Sequence, residues 1–99
     1  MFEQETEKEI IAKGLTAPRL CPADIDAVVV SESFTILPSG KTMICELILR
    51  NGFSVTGESS CVSKENFNIE IGQRISRENA RDKVWMLEGY SLQEKLYRS

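Results

Sequence analysis

Asn51-Gly52-Phe53-Ser54-Val55-Thr56-Gly57-Glu58-Ser59 reads as a turn and a short strand, and soon after it the chain changes period. Asn51-Gly52 is a strong hairpin signal, because both residues tolerate the positive φ of a type I′ turn. Phe53-Ser54-Val55-Thr56 alternates, as a strand pairing back across that turn does. From about Asn66 to Glu88 apolar residues recur at helical spacing, with Ser63 read as the N-cap. Gly89 is expected to break or bend this helix, leaving Ser91 to Tyr97 for a last turn or two. Gly57-Glu58-Ser59-Ser60 reads as a strand exit with a bulge and a glycine at positive φ, or as a small nest of backbone N–H groups for an anion.

On a helix that turns about 100° per residue, Phe67, Ile71, Ile75 and Trp85 fall on one flank. Ile69, Ala80, Val84 and Leu87 fall on another, beside Gly72 and Ser76. Glu70, Arg74, Arg77, Arg81 and Glu88 fill a polar stripe between them. Two apolar faces need two covers, so one face is expected to meet a second copy. The arginine stripe has two readings. Glu70–Arg74, Arg74–Glu78 and Glu78–Arg81 are spaced as surface ion pairs, which give roughly 0.2–0.5 kcal/mol each. Alternatively the guanidinium groups fork onto phosphate, with Asn79 adding an amide beside Arg81. Phe67, Trp85 and Tyr90 could then stack on a base, although each suits a core equally.

Upstream, residues 4–15 read as a short helix with acids crowding its positive end. Proline followed by acids favours a second helix from Pro22 to about Val30, although Val28-Val29-Val30 argues for a strand. Ser33–Leu37 and Thr42–Leu49 read as strands, the second apolar enough to be covered on both faces. Pro38-Ser39-Gly40 turns the chain between them. The fold expected is therefore α+β: short N-terminal helices, a three-stranded antiparallel meander, and a long C-terminal helix with a bent end. Ninety-nine residues make one domain. Its parts are residues 1–18 (helix and loop), 19–62 (short helix and sheet) and 63–99 (C-terminal helices).

With 41% hydrophobic and 27% charged residues the chain has the composition of a globular protein. Residues 1–27 hold six acids against three bases, and the whole chain carries −3, a poor field for DNA. Histidine is absent, which removes the commonest general base and Cys/His zinc sites. Cys21, Cys45 and Cys61 have no metal spacing and read as reduced thiols of a cytoplasmic protein. No phosphate loop, metal quartet or catalytic triad spacing appears, so neither an enzyme nor a cofactor is expected. No run reaches the ~20 apolar residues of a membrane span, and the N-terminus lacks the pattern of a secretion signal.

The order Thr16-Ala17-Pro18-Arg19, Pro22-Ala23-Asp24-Ile25, Arg50-Asn51-Gly52-Phe53, Gly57-Glu58-Ser59 and Cys61-Val62 resembles a known family. It continues through Glu65-Asn66-Phe67, Ile71-Gly72, Glu78-Asn79-Ala80-Arg81, Trp85 and Leu87-Glu88-Gly89-Tyr90. The family is the small tailed-phage group named after gene forty-nine of one phage and gene sixty-six of another, and the first dozen or so residues lie outside the likeness. The resemblance favours helix for the Pro22 segment. More distantly, the chain is similar to the first-described type of Thoeris anti-defence protein. That likeness implies a β-sheet followed by two C-terminal helices, with ligand pockets between subunits of a dimer or larger assembly. It also implies action in the host bacterial cytoplasm as a sponge that holds a cyclic ADP-ribose isomer without cleaving it. Phe67, Asn79 and Arg81 are the ligand-binding positions carried over on matching motifs; Arg74 and Arg77 join them on helical geometry. The rival expectation is a phage adaptor that binds a host protein through the second apolar face of the long helix.

Overall fold

Val28 ends one element and Val29 begins the next, so the run of three valines serves a helix and a strand in turn. The computed structural model describes residues 3–99; Met1 and Phe2, the start of the 1–18 segment, lie outside the described residues. In chain order the elements are α1 (Glu3–Ala12), α2 (Pro22–Val28), β1 (Val29–Ile36), β2 (Thr42–Leu49), β3 (Ser54–Ser60), a 3₁₀ turn (Lys64–Asn66) and α3 (Ile69–Arg98). The class is α+β, with the three strands in sequential antiparallel order. Pro22 at the first turn of α2 and Asp24 accepting the Cys21 N–H at 2.8 Å explain why this helix starts where it does.

Four boundaries differ from the sequence reading. First, β1 begins at Val29, which pairs with Leu49; Val30 is the extra residue of a register shift, and Ser31 pairs with Ile48. Second, β3 runs on through Gly57 to Ser60, and Gly57 is neither at a strand exit nor at positive φ. Third, the hairpin before β3 is not a two-residue type I′ turn. Only Gly52 has positive φ (90°); its N–H donates to the Leu49 carbonyl at 2.8 Å, and the Asn51 side chain accepts the Phe53 N–H at 3.0 Å. Fourth, α3 begins at Ile69 and passes unbroken through Gly89. Its N-cap is Asn68, whose Oδ1 accepts the Ile71 N–H at 2.9 Å, while Ser63 only precedes the 3₁₀ turn and makes no side-chain cap. One interior glycine costs a helix about 1 kcal/mol, too little to break one flanked by good formers. The C-terminal region is thus one helix, not two and not a broken one.

Met43, Cys45, Leu47 and Leu49 point from β2 to the face that α3 covers and are buried. The opposite face of β2, with Ile44, Glu46 and Ile48, is half-buried and bordered by Ser33 and Thr35 of β1 and by Thr56 and Glu58 of β3. The strand is therefore covered on one face and not two. From α3 the buried residues are Gly72, Ser76, Ala80 and Val84, a stripe with i,i+4 spacing made mostly of small side chains. Ser76 Oγ donates to the Gly72 carbonyl at 2.6 Å, so the hydroxyl enters the core already satisfied. Small residues let the helix backbone come down onto the sheet. At Gly57 the approach is so close that an added Cβ would lie 2.2 Å from the Ala80 nitrogen and 2.4 Å from the Ser76 oxygen. A glycine inside a strand marks such a contact.

Of the two apolar flanks read on the long helix, the one with Ala80, Val84 and Leu87 is the core face, although Ile69, read on the same flank, is 54% exposed. The other divides: Trp85 is half-buried beside α1, whereas Ile71 stays 47% exposed. The three cysteines are free thiols. Cys45 is fully buried beneath α3, and burial, helped by the Glu32 carboxylate, pushes its thiol up to about 11. Thiolate is the reactive form, so Cys21 and Cys61, which keep partial exposure, are expected to react with a maleimide or disulfide reagent in the native protein. Cys45 should react only after unfolding. Three equal native reaction rates would show that α3 does not seat on β2 as described.

Candidate functional site

Arg77 and Arg81 stand one turn apart on α3, above the edge of the sheet that carries β1. Arg77 lies over Phe34, with its guanidinium carbon 5.3 Å from the ring centroid, and forks onto Glu32 through Nε at 2.8 Å and Nη2 at 3.0 Å. Arg81 forks onto Glu3 of α1 through Nη2 at 2.8 Å and Nε at 3.0 Å, and its Nη1 donates to Asp26 of α2 at 2.8 Å. The pairs with neighbouring helical acids expected from spacing do not form. The guanidinium groups turn instead to carboxylates from three other elements.

The electrostatics follow from these contacts. The Arg81 guanidinium holds the Glu3 carboxyl below its ordinary value, with a further contribution from the nearby Trp85 indole. That indole N–H is buried and makes no hydrogen bond among the described residues. Hydrogen bonds to Glu32 and to Glu3 push the Arg77 and Arg81 pKa values up in turn. Both cations border a cleft of about 410 Å³ whose other charged lining residues are Glu3, Glu5, Asp26 and Glu78. Among the described residues, four carboxylates against two guanidinium groups leave the cleft lining negative. A phosphate entering it as it stands meets net repulsion and must displace a carboxylate to reach either fork.

The other sequence-derived positions lie elsewhere. Asn79 is not beside Arg81; residues two positions apart on a helix point about 200° apart, and its amide donates to the Glu58 carbonyl of β3 at 2.8 Å. Arg74 is exposed and makes no ion pair among the described residues. Phe67 lies two residues ahead of α3 and so not on the helix flank read for it, with its ring edge 3.5 Å from where a Gly72 Cβ would sit. It lines a groove of about 110 Å³ with Ser59, Ser60, Asn66, Asn68 and Ile71. The five residues therefore form no single site: Phe67 lines its groove, Arg74 is exposed and outside that lining, Arg77 and Arg81 are paired, and Asn79 is tied to the sheet. The acids that decide the state of the stripe, Glu3, Asp26 and Glu32, were not found by sequence reasoning. The excess of acid in residues 1–27 hinted at Glu3 and Asp26, and nothing hinted at Glu32.

Residues 20–96 match the model of the Phage protein (N4 Gp49/phage Sf6 gene 66) family. The chain belongs to that family. No curated protein and no solved structure matches it. Within this phage family member the match takes in α2, the sheet and nearly all of α3, hence Arg81, Arg77, Asp26 and Glu32, while α1 precedes it. Among the described residues no helix is long and apolar enough to cross a membrane.

Proposed function

We propose that this phage protein is a non-catalytic sponge that binds and holds a small cyclic nucleotide, a cyclic ADP-ribose isomer, in a pocket completed by a second copy of the chain. The observation that carries the reading is the groove at the start of α3. An aromatic ring there stands among uncharged hydrogen-bonding side chains, Ser59, Ser60, Asn66 and Asn68. Such a set suits a stacked base and ribose hydroxyls. Arg74 lies three residues beyond Ile71 and is the stripe's unpaired cation among the described residues, available to a phosphate. At about 110 Å³ the groove is smaller than the ~300 Å³ or more that ligand pockets usually offer, so one chain supplies only part of a site. Exposed Ile69 and Ile71 beside it offer apolar area for the second copy.

The experiment has two parts. The protein is incubated with cell extract containing signalling nucleotides, denatured, and the released small molecules are identified; intact nucleotide is expected. Sedimentation at micromolar concentration should give a dimer or larger, unaffected by salt. A monomer, a hydrolysed product, or capture of a host protein with no nucleotide overturns the reading, the last in favour of an adaptor. Stacking on an aromatic gives about 1–3 kcal/mol per base, so Phe67→Ala should weaken binding roughly 5- to 150-fold by calorimetric titration. Phe67→Leu, which keeps much of the packing against Gly72, serves as the control for folding and should lose the same stacking.

A further inference from the structure

The geometry points to α1 as a displaceable strap: its Glu3 carboxylate occupies the Arg81 fork that a phosphate anion would otherwise take, so docking of α1 and binding of the anion exclude one another. Four observations meet here. No residue of α1 is buried, and Ile11 near its end is 65% exposed, so little apolar area holds the helix down. What anchors it is charge: Glu3 forks onto Arg81, and Glu7 forks onto Arg19 at 2.7 and 3.2 Å. Beneath it lies a cavity of about 300 Å³, bordered by Trp85, Ile10, Leu20 and Pro22, so the contact is incompletely filled. And α1 precedes residues 20–96, the unit the family shares, joined to it through the exposed residues 13–18.

A carboxylate and two oxygens of a phosphate present the same planar fork to a guanidinium. Glu3 is thus the internal counterpart of the ligand, and lifting α1 changes the cleft in two ways. It frees two of the three hydrogen bonds on Arg81, leaving the single contact to Asp26, whose side chain is 67% exposed. It also takes Glu3 and Glu5 away from the cleft lining, turning a negative cleft into a balanced one. The core of sheet and α3 includes no residue of α1, so the strap lifts without unfolding it. This inference shares with the preceding reading only the class of ligand, a phosphorylated one; the cleft at Arg81 is a separate place from the groove at Phe67.

The test uses the full chain with inorganic pyrophosphate as the probe. Trp85 is the chain's one tryptophan and lies against α1, so its emission reports docking. Pyrophosphate is expected to shift that emission to the red and to remove amide-exchange protection from residues 3–12 while the strands stay protected. Glu3→Gln, the same size without the charge, should bind pyrophosphate about tenfold tighter, the gain from losing one charge-assisted competitor. Binding with α1 still protected, no binding to the Glu3→Gln chain, or equal affinity of both chains overturns the strap. So does release of α1 by chloride at the same ionic strength, which would reduce the effect to screening. Recovery of intact nucleotide from extract is decided separately, so the sponge reading and the strap fail independently.

Discussion

Gly57→Val is expected to abolish the native fold at ordinary temperature, and Gly57→Ala to cost about 3–5 kcal/mol, a large share of the ~5–15 kcal/mol by which such domains are stable. The added Cβ has nowhere to go. Its nearest neighbours are backbone atoms of Ala80, Ser76 and Asn79 at 2.2, 2.4 and 2.7 Å, all belonging to α3. A flexible side chain would move aside, but here the whole helix must rise off the sheet, opening gaps around Cys45, Leu47 and Val84. Gly89→Ala is the matched control. It lies in the same helix with no foreign atom within 4 Å of the new Cβ, and should stabilise by about 0.4–1 kcal/mol through helix propensity and a less flexible unfolded chain. Urea denaturation of the three variants checks both signs. Gly57→Ala within 1 kcal/mol of the parent would mean that helix and sheet are farther apart than described.

How far the sequence led depends on how local each interaction is. The bounds of β2 were legible because eight nearly all apolar residues sit between a Pro-Ser-Gly turn and Asn51-Gly52. The core face of α3 was legible because helical periodicity places Ala80 and Val84 together with Gly72 and Ser76. Gly57 was not. A glycine in that context fits either a left-handed bulge or a close crossing, and only the position of α3 decides between them. The ion pairs were less legible still: the acids that hold Arg77 and Arg81 lie 45, 55 and 78 residues away. Spacing along one helix therefore favoured neighbours that turned out to be unused. The placing of Asn79 beside Arg81 is a different matter, since two helical steps already put the side chains on opposite flanks.

Those distant acids make Arg81 worth more to stability than the surface ion pairs that helical spacing suggests. Arg81→Ala should destabilise the protein by about 1–2 kcal/mol. That is less than the ~3–5 kcal/mol for breaking a fully buried pair, because the Arg81 and Glu3 side chains keep 17% and 19% of their exposure and water screens what remains. For a chain of this size each kcal/mol moves the melting temperature by about 4–8 °C. Arg77→Ala, whose pair with Glu32 is 39% and 34% exposed, should lose only about 0.5–1 kcal/mol. Acid gives the second readout. The Glu3 carboxyl is held below its ordinary value in the fold, so its contribution is present above the usual glutamate range and is lost as pH falls through the depressed value. The parent should therefore lose stability on acidification by more than Arg81→Ala does, and the two melting curves should converge. Parallel curves with equal melting temperatures at neutral pH would show that the Glu3 contact is screened away in solution. Arg81 would then stand as an open cation on the stripe, needing no strap to be lifted before an anion could reach it.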